Sequence, residues 1–254
     1  MVIDIRRPLK KFLPYLLKAR EDNLNEADTV QRLIKFFEDV LSYDPLTEIT
    51  CEKQVRDKYV DIAIKIENVI RLLIEVKAAG VTLRDRHIEQ AERYASEGNI
   101  QWVLLTNGVV WNLYHLTFDE GIDYEKVFSV DLSTEPIEQT ADLLSLLHRQ
   151  AIKKDSLEDY WNKRTALCPE SIIKAIFNHD ALRLIRRDIR RREGILVDEE
   201  ELAQAIHDMF SIETRERIGP LKIRRKQKRL MKPTDSCEQE PEGPPMGAKE
   251  DTTG

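Results

Sequence analysis

The chain of 254 residues has little of what several protein classes require. No apolar run approaches the roughly 18–20 residues of a membrane span, so no transmembrane helix is expected. Its three cysteines, Cys51, Cys168 and Cys237, are odd in number and far apart. That excludes a disulfide framework and a zinc-ligand pattern, and makes free thiols in a reducing cytoplasm the expectation. The five histidines, His87, His115, His148, His179 and His207, have no metal-ligand spacing with one another or with a cysteine. No G-x-x-x-x-G-K-[ST] phosphate loop occurs, so a nucleotide-driven motor is not expected within these residues. The basic and apolar start lacks a small-residue cleavage site and reads as an ordinary first helix rather than a signal peptide. Glycine (9 residues) and aromatics (7%) are sparse while charged residues make up 34%. That balance suits a soluble, helix-rich α/β protein.

The formal net charge of −6 hides an uneven distribution. Acids dominate the last twenty or so residues and much of the first half. Basic residues gather at 183–192 and 222–232. In the first run the arginines alternate in helical phase with Leu182, Leu184, Ile185 and Ile189, which reads as a solvated helix face. The second run has few apolar anchors. It reads as a basic arm able to neutralise phosphates, with Arg224, Arg225, Lys226, Lys228 and Arg229 as nucleic-acid contacts. Contact with the acidic tail is the competing reading.

What is present in strength is alternation over residues 59–79. Val60, Ile62, Ile64 and Ile66 point one way, and Asp61, Ala63 and Lys65 the other; Ile70, Leu72, Ile74 and Val76 oppose Arg71, Leu73, Glu75 and Lys77. A three-residue loop at 67–69 would pair Ile66 with Ile70, and counting back then sets Asp61 across from Glu75. Directly opposed side chains have Cβ atoms roughly 4.5–5.5 Å apart, where like charges destabilise. At an effective dielectric of about 20 the repulsion is roughly 3 kcal/mol. Lys77 on the same face offsets part of it. A divalent cation would offset more, and two oxygen ligands with an open side suit Mg²⁺. A solvent-facing strand of mixed charge is the plain alternative.

The flanking residues add a resemblance. Asp61 followed by Glu75-Val76-Lys77 resembles the PD-(D/E)xK nuclease motif, with Val60 standing where the motif has proline. Gln90 and Tyr94 match the Q-x-x-x-Y element of one branch of these nucleases. VLLTNGVVWNLY at 103–114 and NEADTVQRLI at 25–34 resemble the N-terminal domain of type I restriction enzyme R subunits. These pieces occur in the family's order over about residues 25–131. The resemblance implies an α/β fold: a restriction-endonuclease-like core with a mixed central sheet flanked by helices. Here an all-helical C-terminal extension would follow it. It implies a Mg²⁺- (or Mn²⁺-) dependent DNA endonuclease of restriction and defence. Asp61, Glu75 and the Val76 carbonyl would be metal ligands, and Lys77 the catalytic lysine. It further implies an acid on the first domain helix. Glu26, at the centre of the stripe formed by Val30, Leu33, Ile34, Phe37, Val40 and Leu41, is preferred to Glu38 at its edge; Glu52 is a third candidate. A first-turn acid after an Asn25 cap accounts equally for Glu26 in plain structural terms. Gln90 and Tyr94, four apart on one helix face, either flank the site or pack on the sheet. DNA is the partner implied, with motor or specificity subunits of a restriction system. A homodimer is compatible with double-strand cutting, and no interface is legible. A non-cleaving module of the same fold, binding nucleic acid or docking a partner, is the alternative.

Along the chain, the spacing predicts a leading helix broken near Pro14, a helix over 26–43, and strands over 48–55 and the two arms above. A helix over 83–97 follows, then strands 101–106 and 109–116 around Asn107-Gly108, and a strand over 126–131. Trp102, Trp111 and Tyr114 read as core. A helix from Pro136 to about Lys154 closes a domain of residues 1–154. Helices alone fill 155–214, the basic arm spans 215–232, and residues 233–254, rich in Pro, Gly and Glu, are expected to be disordered.

Overall fold

The computed structural model describes residues 3–55, 58–119, 121–219 and 223, with the side chains of 52–55, 58, 59, 90, 217 and 218 also left aside. The basic-arm residues Arg224, Arg225, Lys226, Lys228 and Arg229, the side chain of Glu52 and the tail therefore lie outside the described residues. The chain divides into two compact units, residues 1–168 and residues from 169 on.

The first unit opens with α1 (Arg6–Glu21), whose Leu9, Phe12, Leu16 and Ala19 are buried. Pro14 does not break it. Pro14 sits on the exposed side, where the carbonyl it leaves unbonded meets water while the buried stripe carries the helix through. Asn25 caps α2 (Glu26–Asp39) by accepting from Asp28 N at 2.9 Å. This helix ends short of Tyr43, and Ser42 turns the chain in the left-handed region at φ 65°.

A six-stranded mixed sheet follows: β1 (Ile49–Val55), β2 (Lys58–Ile66), β3 (Val69–Val76), β4 (Trp102–Thr106), β5 (Val110–Thr117) and β6 (Asp123–Asp131), each beside its neighbour in sequence. All pairings are antiparallel except β3 with β4. A parallel pair needs a crossover, supplied by a 3₁₀ turn (Asp85–Ile88) and α3 (Glu89–Gly98). After the sheet come α4 (Ile137–Leu144), a 3₁₀ turn (Ser145–Leu147), α5 (Arg149–Lys153) and α6 (Ser156–Ala166), where one long helix was expected to Lys154.

The sheet has a core on each face. On one side Phe36 and Phe37 of α2 pack on Trp111, with ring centroids 4.9 and 6.2 Å apart, among residues of α1, α4 and the even positions of β2 and β3. Leu157, Tyr160 and Trp161 of α6 join this core. That is why the first unit runs past the composition change at 155 to Cys168. On the other side Ile88, Ala91, Tyr94 and Ala95 cover Ala63, Leu73, Val103 and Leu105. Trp102, Trp111 and Tyr114 are buried as expected.

The second unit comprises α7 (Pro169–Ile176), α8 (His179–Glu193), α9 (Glu199–Asp208) and α10 (Ile212–Ile218) around Ile173, Phe177, Leu182, Leu202 and Ala203. Asn178 caps α8, and Asp198 with Glu201 forms a capping box on α9. Leu184 and Ile185 of α8 are exposed rather than part of its apolar side, which rests on Leu182 and Ile189. The start of the basic run at Arg215 belongs to α10, where Arg215 pairs with Asp208 at 3.5 Å. Among the described residues no helix is long and apolar enough to cross a membrane.

Candidate active site

The hairpin of β2 and β3 turns on two residues, not three: Ile66 pairs with Val69 across Glu67 and Asn68, whose φ values are 54° and 65°. Two left-handed residues match the twist of the flanking strands. Two strands so joined would carry Asp61 out of register with Glu75. A bulge corrects this, because Lys65 pairs with Ile70 but Ile64 with Leu72, leaving Arg71 as the extra residue. The register beyond it, Ile62 with Ile74, is the one that brings Asp61 to the level of Glu75. The bulge also turns Ile70 away from Leu72, so Ile70 packs with the second core. Val60, expected beside Ile62, packs there too.

Asp61 does more than face Glu75. Its Oδ2 accepts from Val76 N at 2.7 Å, taking a backbone donor of β3 where the ladder with β2 ends. The next donor, Lys77 N, goes to Thr106 O of β4 at 2.9 Å. The strand end is thus held by a carboxylate on one side and a parallel strand on the other.

Glu75 is 3% exposed. Its Oε1 receives Lys77 Nζ at 2.5 Å, and its Oε2 is buried with no hydrogen-bond partner. Burial, then the charge of Asp61, pushes the Glu75 carboxyl up to about 7 despite Lys77. Burial pulls the Lys77 ammonium down, but its bond to Glu75 and the charges of Glu75, Glu26 and Asp61 outweigh that and leave it raised. Lys77 is therefore a firm cation in this arrangement.

Glu26 stands in the first turn of α2 and lies 3.7 Å from Lys77 Nζ, half exposed. Glu38 is elsewhere engaged, with Lys35 at 3.0 Å. The stripe argument favours Glu26 because the first turn of α2 abuts the strand end. Ala79 N donates to Leu24 O at 3.0 Å, just before that turn. Gly80 makes the approach feasible: a Cβ there would meet Asn23 Oδ1 at 2.1 Å. Asn23, Leu24, Ala79 and Gly80 were not singled out in the sequence. A glycine three residues after the Glu-x-Lys lysine was the available signal.

Tyr94 is 3% exposed within the second core, and its hydroxyl is buried without a partner. Gln90 begins the second residue of α3, and its side chain is outside the description. The charge of Lys77 reaches His87, whose pKa is lowered by burial first and by Lys77, Arg86 and Arg84 after it. Among the described residues no three His, Cys, Asp or Glu side chains gather as a metal cluster.

An α/β unit with a six-stranded mixed sheet and a carboxylate–lysine cluster at the end of its parallel strand is thus defined. Residues 25–148 of it match the model of the family described as type I restriction enzyme R protein N terminus (HSDR_N). The match takes in the sheet, α2 and α3, and all of Glu26, Asp61, Glu75, Lys77, Gln90 and Tyr94. No curated protein and no solved structure gives a match.

Proposed function

We propose that this chain is a Mg²⁺- (or Mn²⁺-) dependent endonuclease of the PD-(D/E)xK type, with a restriction-endonuclease-like core, hydrolysing DNA phosphodiesters in a restriction system. The observation that carries it is Glu75 Oε2, a buried acid oxygen without a partner beside a second carboxylate. Leaving such a group unsatisfied costs about 1–3 kcal/mol. A cation held there removes the cost, so the donors present fit the metal the family implies.

Asp61, Glu75 and the Val76 carbonyl would hold it, in the oxygen-only setting with retained waters that Mg²⁺ prefers. Bound there, the metal supplies polarisation of the phosphoryl oxygen and stabilisation of the leaving 3′-oxygen. Asp61 anchors the strand end through Oδ2, which accepts from Val76 N. Lys77, held as an ammonium by Glu75 and Glu26, donates hydrogen bonds. Its work is to orient the attacking water and to stabilise charge on the phosphate, rather than to remove a proton. Glu26, the more exposed carboxylate, accepts from that water on the solvent side. Tyr94 packs in the core that backs the site, Gln90 would flank the metal as the resemblance implies, and the basic residues from Arg224 to Arg229 would track phosphates. DNA, and the motor or specificity subunits of such a system, are the partners proposed; a homodimer would suit double-strand cutting.

The test is incubation of plasmid and single-stranded DNA with Mg²⁺ or Mn²⁺. Asp61→Ala and Lys77→Ala are each expected to lose roughly several hundred-fold in cleavage rate without loss of fold. Cleavage that survives both changes overturns the reading. A second reading, a module that binds nucleic acid or a partner without cutting, is favoured by the absence of a three-residue metal cluster among the described residues. Calorimetry separates the two: Mn²⁺ binding in the wild type that disappears in Asp61→Asn supports the nuclease.

A further inference from the structure

Beside the site lies a cavity of about 350 Å³ to which the mechanism above gives no role. We propose that it is a nucleotide subsite, taking one base of the bound strand next to the phosphate to be cut. The proposal rests on the endonuclease reading and deepens it.

Its position is set by the same two strand ends as the site. One wall is the strap 80–83, which begins three residues after Lys77. Another is Asn107, next to the Thr106 whose carbonyl accepts Lys77 N. Three residues span at most about 10 Å, so the near wall of the cavity lies within that reach of Lys77, and the proposal is that a strand with a phosphate at Lys77 places a neighbouring base there. The volume is at the small end for ligand pockets, enough for one nucleotide and too small for a base pair in its duplex.

The walls are rigid and polar. Asn107 and Asn112 are each 5% exposed. Asn107 is spent on backbone: it donates to Val81 O at 2.8 Å, which fixes the strap, and accepts from Val109 N and Val110 N. Asn112 accepts from Ser129 Oγ at 2.7 Å. Tyr114 donates to Asp85 at 2.6 Å, and Asp85 holds Lys126 at 2.7 Å. The Ser129 hydroxyl is thus spent as a donor on Asn112 Oδ1, which leaves its oxygen able to accept, and both residues line the cavity. Thr82 supplies an exposed hydroxyl on the strap, while Val81, Leu83 and Val110 give the apolar surface a base face needs. Arg20 lines the mouth, bonded to Ser133 Oγ at 3.2 Å and, among the described residues, paired with no carboxylate. Asp131, also in the lining, is occupied by Ser133 N and Oγ. The division of labour is thus hydroxyls for the base edge and Arg20 for the adjoining phosphate.

Titration of the full chain with each of the four deoxynucleoside monophosphates, read by calorimetry, tests this. Arg20→Gln is expected to weaken all four alike by about tenfold. Thr82→Val and Ser129→Ala, both at exposed positions, are expected to weaken the four unequally. Wild type that binds none of the four, or binding that Arg20→Gln, Thr82→Val and Ser129→Ala all leave intact, overturns the subsite. Wild type that binds a nucleotide but cuts no DNA overturns the nuclease reading and leaves the subsite standing.

Discussion

Two buried glutamates of the first unit are held in opposite ways. Glu48, just before β1, is 8% exposed and satisfied from several directions. Arg149 Nε approaches both its oxygens, at 2.6 and 2.7 Å, and Asp44 N donates to Oε2 at 3.0 Å. Glu75 is more deeply buried, yet one of its oxygens has only Lys77 and the other has nothing. The fold can satisfy a buried carboxylate completely, as it does at Glu48. At Glu75 it does not, and an unspent acceptor set beside the Asp61 charge is the pattern expected of a site awaiting a ligand.

The sharpest way to break this comparison is by activity. Exchanging Glu75 for Gln is expected to reduce cleavage by roughly several hundred-fold, in line with Asp61→Ala and Lys77→Ala, whereas Arg149→Met is expected to leave the cleavage rate of the folded protein unchanged. Rate measurements under single-turnover conditions check this.

The pH dependence of stability comes next. Glu75 has a folded pKa of about 7 against an ordinary 4.5, so between those values the folded chain binds the extra proton. Its contribution is therefore fully present below pH 4.5 and is lost as pH rises to 7 and beyond, by roughly 3 kcal/mol in total. Denaturant unfolding of metal-free protein from pH 4.5 to 8 should show this slope in the wild type and not in Glu75→Gln. Added Mg²⁺ should flatten it, because a cation favours the carboxylate. A wild-type slope equal to that of Glu75→Gln would remove the electrostatic case for the site.

Arg149→Met should cost about 2 kcal/mol in the same assay, less than a fully buried pair because Arg149 is itself partly exposed. The smallest effect is at the cap that sets Glu26: Asn25→Ala should cost about 1 kcal/mol of stability, read as a lower unfolding midpoint, with a modest fall in cleavage as the first turn of α2 loosens.

Much of this was legible in residues 59–79, and for a reason that includes an error. Counting with a three-residue loop aligned Asp61 with Glu75; the loop has two residues, and the bulge at Arg71 restores the count. Alternation reports which side a residue faces but not an extra residue in the ladder, so Ile70 was assigned to the wrong face. Pro14 was read as a break because the rule for proline is local, while the stripe of Leu9, Phe12 and Leu16 that overrides it draws on contacts across the core. Tyr94 shares a helix face with Gln90 by spacing alone, and only the second core shows that this side chain is buried.

By itself the sequence determined the strands and their polar faces, the cap at Asn25 and the pairing of two acids with a lysine, because periodicity and capping act over a few residues. The tertiary structure decided the rest: that β4 lies parallel to β3 and receives Lys77 N, that the chain leading into α2 at Asn23 and Leu24 meets Ala79 and Gly80 while Glu26 reaches Lys77, and that Glu48 is satisfied while Glu75 is not. Each of those depends on groups far apart in the chain meeting at hydrogen-bond distance, and no local pattern encodes which distant donor arrives.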